Sequence, residues 1–135
     1  MNILFICKHN RFRSKIAEAF FNKYNRNSGN EAKSRGIIKD IDIAPNVLKV
    51  AKQNKIKLKS KKSIKLKKSD IKWAELIVIV ANNVSKKDVG TGKREIIVWK
   101  IKDTSQENIK EIRKLTRQIK RKVLKLIKAI DYNQK

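Results

Sequence analysis

Cys7, Arg13 and Ser14 stand in the run Cys7-Lys8-His9-Asn10-Arg11-Phe12-Arg13-Ser14, a Cys-x5-Arg-Ser spacing. Those residue types at that spacing suit one kind of chemistry. If a strand ends at Cys7 and a helix opens at Arg13-Ser14, the loop between them turns its backbone N–H groups around a concavity at the helix N-terminus, where an anion is favoured. The thiol then lies at the base of an anion cradle. The guanidinium lies at its rim, where a planar fork can hold two phosphate oxygens. The same positive surroundings favour the thiolate, the form that attacks phosphorus. Ser14 is placed to donate a hydrogen bond to it.

Each residue alone has a plainer reading: Cys7 as a small buried hydrophobe, Arg13 as surface charge, Ser14 as a helix cap. Their combination in a strand, loop and helix favours the oxyanion site. His9 is a lone histidine with no second His and no Cys or carboxylate cluster, so it makes no metal site and is assigned no catalytic role.

The elements that must hold these residues show in the hydrophobic pattern. Ile3-Leu4-Phe5-Ile6, Leu76-Ile77-Val78-Ile79-Val80 and Ile96-Ile97-Val98-Trp99 are apolar runs of strand length, suited to strands covered on both faces. Helical periodicities lie between and after them: Ile16, Ala17, Phe20 and Tyr24; Val47, Leu48 and Ala51; then Ile109, Ile112, Leu115, Ile119, Val123, Ile127 and Ile130. Pro45 suits the first turn of the middle helix, and the last helix is expected over about residues 106–131. Strands are expected at 2–7, 31–35, 75–80 and 95–99. Alternation of this kind implies an α/β fold: one three-layer domain over 1–135, with about four parallel strands flanked by helices joined right-handedly.

With 36 Lys and Arg against 12 Asp and Glu, the formal charge of +24 sets up a field that attracts nucleic acid, acidic proteins or phosphorylated ligands without selecting among them. Residues 55–72 carry nine Lys and one Asp, punctuated by Ile56, Leu58, Ile64, Leu66 and Ile71, and read as a solvated basic edge. They lack the interleaved aromatics of a stacking platform for single strands. One Cys cannot form an internal disulfide, and Met1-Asn2 leads straight into a strand pattern rather than a secretory leader, so the expectation is a cytoplasmic protein. No apolar run approaches the roughly 18–20 residues of a membrane span.

The opening run resembles the low-molecular-weight protein tyrosine phosphatases and the related arsenate reductases. ILFICKHNRFRSKIAEAFF is similar to that family's strand, CxGNxxRS loop and helix with MAEA or a near variant. Ser34-Arg35-Gly36-Ile37 resembles its SAGT segment, Ser63-Ile64-Lys65-Leu66 its serine-containing segment, and Trp73-Ala74-Glu75-Leu76-Ile77 its WADLI entry. Trp99-Lys100-Ile101-Lys102-Asp103 resembles the stretch that presents the family's acid.

The resemblance implies a flavodoxin-like phosphatase fold and a metal-free, cofactor-free displacement. Cys7 is then the nucleophile and Arg13 the clamp, within a substrate-binding phosphate loop of Lys8, His9, Asn10, Arg11, Phe12 and Ser14. It implies that Asn10 holds the loop in a left-handed conformation and that Ser14 stabilises the thiolate. Asp103 would protonate the leaving oxygen and then activate water; its plainer reading is a cap on the last helix, and Asp70 and Asp88 are the other candidate acids. Departures from the pattern are His9 for a loop glycine, Phe12 for a second Cys, Lys61 for a bracing His, Asn82 for Asp, and Thr104-Ser105 for Pro and an aromatic. Lys8 and Arg11 add positive charge at the mouth, and no aromatic wall for phosphotyrosine is evident. The function implied is a cysteine-dependent hydrolase of a phosphorylated protein or a small phosphomonoester, through a phosphocysteine. The alternatives are an arsenate reductase drawing on an external thiol, and a noncatalytic module binding nucleic acid or an acidic partner.

Overall fold

Ile3 to Ile6 are apolar on both sides of the chain, and such a strand is stable only with cover on both faces. In the computed structural model, which describes residues 1–90, 92 and 94–133, these four side chains are fully buried within strand β1 (Asn2–Cys7). β1 pairs with β2 (Glu31–Gly36) on one side and β3 (Leu76–Val80) on the other, and β3 pairs with β4 (Glu95–Trp99). All pairs are parallel and the order is β2-β1-β3-β4. The expected strands are all present; β2 runs on to Gly36 and β3 begins one residue late, at Leu76. β2 has no apolar run. As an edge strand it turns only Ala32, Ser34 and Gly36 inward.

Successive side chains of β1 and β3 point to opposite faces. Ile3, Phe5, Val78 and Val80 join one core with helices α1 (Arg13–Tyr24), α2 (Pro45–Gln53) and α5 (Ile109–Asn133). Leu4, Ile6, Ile77 and Ile79 join a second core that includes Val84, Val89 and the partly buried Ile71 and Trp73, from around the short helices α3 (Lys68–Trp73) and α4 (Lys86–Val89). The result is a three-layer α/β fold of flavodoxin-like strand order, whose ligand crevice lies beyond the carboxyl ends of β1 and β3.

The last helix starts three residues later than expected because Asn108 caps it. Asn108 Oδ1 accepts from Glu111 N–H at 3.2 Å and its carbonyl from Ile112 N–H at 3.0 Å. The segment 55–72 is only partly a solvated edge. Ile56, Ser63 and Asp70 are buried, and residues 64–66 hydrogen-bond to both sides of Gly36, Gly36 N–H to the Ile64 carbonyl and Leu66 N–H to the Gly36 carbonyl. Its lysines face solvent while its backbone extends the β2 edge.

Candidate active site

Cys7 ends β1 in register with Gly36 of β2, and α1 begins at Arg13, so residues 8–12 must turn back between the two elements. The turn needs one left-handed residue, and Asn10 supplies it with φ of 52°. The fully buried Asn10 side chain then holds the loop from inside. Its Nδ2 donates to Ser14 Oγ at 2.8 Å and to Ser34 Oγ at 3.2 Å, while its Oδ1 accepts from Ile64 N–H at 2.9 Å. Asn10 N–H points at the Cys7 sulfur at 3.3 Å, and Ser14 Oγ lies 2.9 Å from it. Ser14 is therefore no helix cap. The cap position belongs to Phe12, which makes no side-chain cap bond.

A pocket opens over the sulfur, walled by Cys7, His9, Arg11, Phe12 and Arg13 on the loop side and by Asp40, Asp103, Thr104, Ser105 and Gln106 opposite. Of the nine residues expected at the site, six line it. Lys8, Asn10 and Ser14 do not; Asn10 and Ser14 sit behind the sulfur, and the Lys8 carbonyl accepts from Ile38 N–H. Arg13 is not at the rim as expected but buried, at 2% exposure. Burial of a guanidinium demands acceptors, and Nη1 donates to the Ile101 carbonyl at 2.9 Å and Nη2 to Asn83 Oδ1 at 3.0 Å. Asp103 Oδ2 lies 3.6 Å from Nη2, and Asp103 Oδ1 accepts from Thr104 N–H. Asp103 is exposed and caps nothing in α5. The other two carboxylates are committed elsewhere: Asp70 to Arg35 and Lys67 N–H, Asp88 to the capping box of α4 with Ser85.

Four positioning residues escaped the sequence reading. Asn83, just beyond β3, holds the buried guanidinium. Asp40 stands against His9, its Oδ2 3.0 Å from Nδ1 but without a hydrogen bond to that nitrogen, so the loop histidine meets the opposite wall. Ser63 Oγ donates to the His9 carbonyl at 2.7 Å and accepts from Asp40 N–H at 2.9 Å. Gly36 passes so close to the loop that a Cβ there would stand 2.8 Å from Asn10 N and His9 C. Behind the loop, Ser34 Oγ donates to Glu18 Oε1 at 3.0 Å. Burial raises the Glu18 carboxyl above its ordinary range and, likewise as the largest cause, lowers the neighbouring Lys15 ammonium. Among the described residues no group of three or more His, Cys, Asp or Glu is placed to hold a metal, and no helix is long and apolar enough to cross a membrane.

A strand, a thiol, a tight loop and an arginine at the helix start could serve more than one activity, and comparison with known proteins narrows the field. The family model described as low molecular weight phosphotyrosine protein phosphatase matches residues 2–135. The chain belongs to this family. A search of curated proteins returned no significant match. Among solved structures, the chain is similar to the YwlE arginine phosphatase from Geobacillus stearothermophilus, with TM-score 0.86, 21% identity and cover of 98% of this chain and 94% of that one. It is similar to a low molecular weight protein tyrosine phosphatase from T. tengcongensis, with TM-score 0.83, 22% identity and cover of 96% and 99%. An arsenate reductase from Archaeoglobus fulgidus also matches, with TM-score 0.77, 24% identity and cover of 93% and 98%. At these identities the likeness speaks to the fold. The low molecular weight phosphatase family and its structural neighbours include both phosphatases and arsenate reductases, so membership supports an enzyme and leaves the reaction to be argued from the site.

Proposed function

We propose that the protein is a cysteine-dependent phosphomonoester hydrolase of the protein tyrosine phosphatase type. The observation that carries this reading is the convergence of Cys7, Arg13 and Asp103 on one pocket, with the sulfur receiving Asn10 N–H and the Ser14 hydroxyl beside it. The phosphoryl group sits in the loop, its oxygens facing backbone N–H groups and the guanidinium donors of Arg13 not committed to Ile101 and Asn83. The Cys7 thiolate attacks phosphorus and forms the S–P bond as the P–O ester bond breaks, and the protonated Asp103 carboxyl gives its proton to the leaving oxygen. Water then attacks the phosphocysteine, its proton passes to Asp103, and phosphate leaves with the thiolate restored. Ser14 stabilises that thiolate as a leaving group. Arg11, whose Nε donates to the Asp42 carbonyl, brings a fixed positive charge to the mouth that suits a phosphorylated substrate.

The test is phosphate release from an aryl phosphate by the wild type and by Cys7→Ser, with a parallel assay of arsenate plus a small external thiol. Release by the wild type, abolished in Cys7→Ser, with trapping of a phosphocysteine on rapid acid quench, is the expected result. Turnover that survives in Cys7→Ser, or arsenate reduction without phosphate release, would overturn the reading.

A further inference from the structure

The outer face of α5 carries a charge pattern that the proposed hydrolysis does not use. Between Ile109 and Lys128 the helix exposes seven side chains, Lys110, Lys114, Arg117, Arg121, Lys122, Lys125 and Lys128, and every one is basic. Six of them, without Lys122, fall within an arc of about 80° at 100° per residue, directly opposite the face that buries Ile112, Leu115, Ile119 and Val123. From Lys110 to Lys128 the stripe spans about 27 Å at 1.5 Å per residue. The only carboxylate in that stretch, Glu111, pairs with Lys102, and among the described residues no carboxylate lies within ion-pair distance of any cation of the stripe.

This is more than the general basicity of the chain. Surfaces that serve only solubility intersperse both signs, and like charges at i, i+4, as in Lys110/Lys114, Arg117/Arg121 and Arg121/Lys125, work against the helix. A polyanion laid along the face would remove that repulsion. We propose that the outer face of α5 is a binding surface for duplex nucleic acid, engaged through its phosphates without reading sequence. The stripe matches most of one duplex turn of about 34 Å. Phosphates at one charge per about 1.7 Å of duplex axis can meet every cation on it. A single strand held by stacking would need successive aromatics, and the face offers one, Tyr132, in its last turn. A membrane-lying helix would need its apolar face for lipid, and that of α5 is packed in the core.

The inference stands apart from the hydrolase reading and is tested without turnover. Binding of a fluorescent 20-base-pair DNA duplex of arbitrary sequence is followed by anisotropy between 50 and 200 mM salt. The wild type is compared with Lys114→Gln/Arg117→Gln/Arg121→Gln/Lys125→Gln and with a control of equal charge change on α3 and α4 across the sheet, Lys68→Gln/Lys72→Gln/Lys86→Gln/Lys87→Gln. With six phosphate contacts the slope of log K against log salt is expected near −5, a loss of about a thousandfold over that range. The α5 variant should fall to a slope near −2, and the control should stay within about one unit of the wild type. Equal losses in both variants would mean diffuse charge and overturn the proposal. So would tenfold tighter binding of a single strand of the same length. A third overturning result is loss in the α5 variant of binding to phosphatidylserine vesicles while duplex binding persists.

Discussion

Gly36→Ala is the sharpest test of how the loop between Cys7 and Arg13 is held. Gly36 has no left-handed φ to excuse a glycine; what excludes a side chain is the loop itself. The added Cβ would stand 2.8 Å from Asn10 N and His9 C, where ordinary contact begins at 3.4 Å, so one of the two must recede by about 0.6 Å. Neither can do so freely. Gly36 is held by Ile64 and Leu66 on the far side, and the loop by Ser63 at the His9 carbonyl and Ile64 N–H at Asn10 Oδ1. The Asn10 N–H that is pushed is the one that points at the Cys7 sulfur. Overpacking of this kind costs about 1–3 kcal/mol, a fall of roughly 3–12 °C in Tm for a domain of this size. A misplacement near 1 Å costs about a hundredfold in rate, so kcat on an aryl phosphate should drop about 10- to 100-fold. Thermal melts, kcat and vanadate inhibition report these together. Gly29→Ala serves as the control, since its Cβ would meet only the Asn27 side chain, at 3.2 Å. A Gly36→Ala protein with wild-type Tm and kcat would refute the reasoning.

Asp103→Asn should slow an ordinary aryl phosphate by about a hundredfold or more and one with a weakly basic leaving group less than tenfold; equal slowing in steady-state assays would assign Asp103 a structural role. Arg13→Lys should reduce kcat/KM nearly as far as loss of the side chain, because an ammonium cannot satisfy Ile101 and Asn83 and still fork onto phosphate; activity near wild type would count against the clamp. Lys55, with φ of 55°, ends α2 in a Schellman turn in which Ile56 N–H reaches the Ala51 carbonyl, so Lys55→Gly should raise stability by about 0.5–1 kcal/mol, read as a higher melting temperature. Burial raises the Glu18 carboxyl, so its protonation favours the folded state. That contribution is complete below its ordinary value of 4.5 and is lost as pH rises through the raised native value. Glu18→Gln, which keeps an acceptor for Ser34, should match the wild type in urea unfolding at pH 4 and exceed it at pH 8; a pH-independent difference would contradict the burial argument.

The strands were legible wherever burial is two-sided, because β1 and β3 must then be apolar without interruption. β2 was legible only in outline: an edge strand with one inward face needs just Ala32, Ser34 and Gly36, a pattern many polar loops share. α3 and α4 span six and four residues, too short for a 3.6-residue period to declare itself, and they stand on caps at Asp70 and Ser85 rather than on an apolar stripe. The structural part of the segment 55–72 is hidden in the sequence for a related reason. Composition reports side chains, and its lysines are solvated, but its structural part is played by the backbone of residues 64–66 against Gly36, to which composition is blind.

The site divides along the same line. Cys7, Asn10, Arg13 and Ser14 lie within eight residues, so their spacing alone could bring them together, and the loop forms around them as expected. What fixed the guanidinium could not be read in this way. An arginine seen in sequence belongs by default at a rim, since its five N–H donors are cheapest to satisfy with water. Arg13 is buried because the chain returns twice to supply acceptors, with Asn83 70 residues away and the Ile101 carbonyl 88 residues away, and one of these is a backbone group that any residue type would provide. The second return also sets Asp103. Two residues beyond Ile101 the chain reaches Asp103, so the bond that anchors Arg13 brings that carboxylate to 3.6 Å from the guanidinium. Arg13 and Asp103 are thus placed by one contact between β4's exit and α1's first turn, and weakening it should disturb both together.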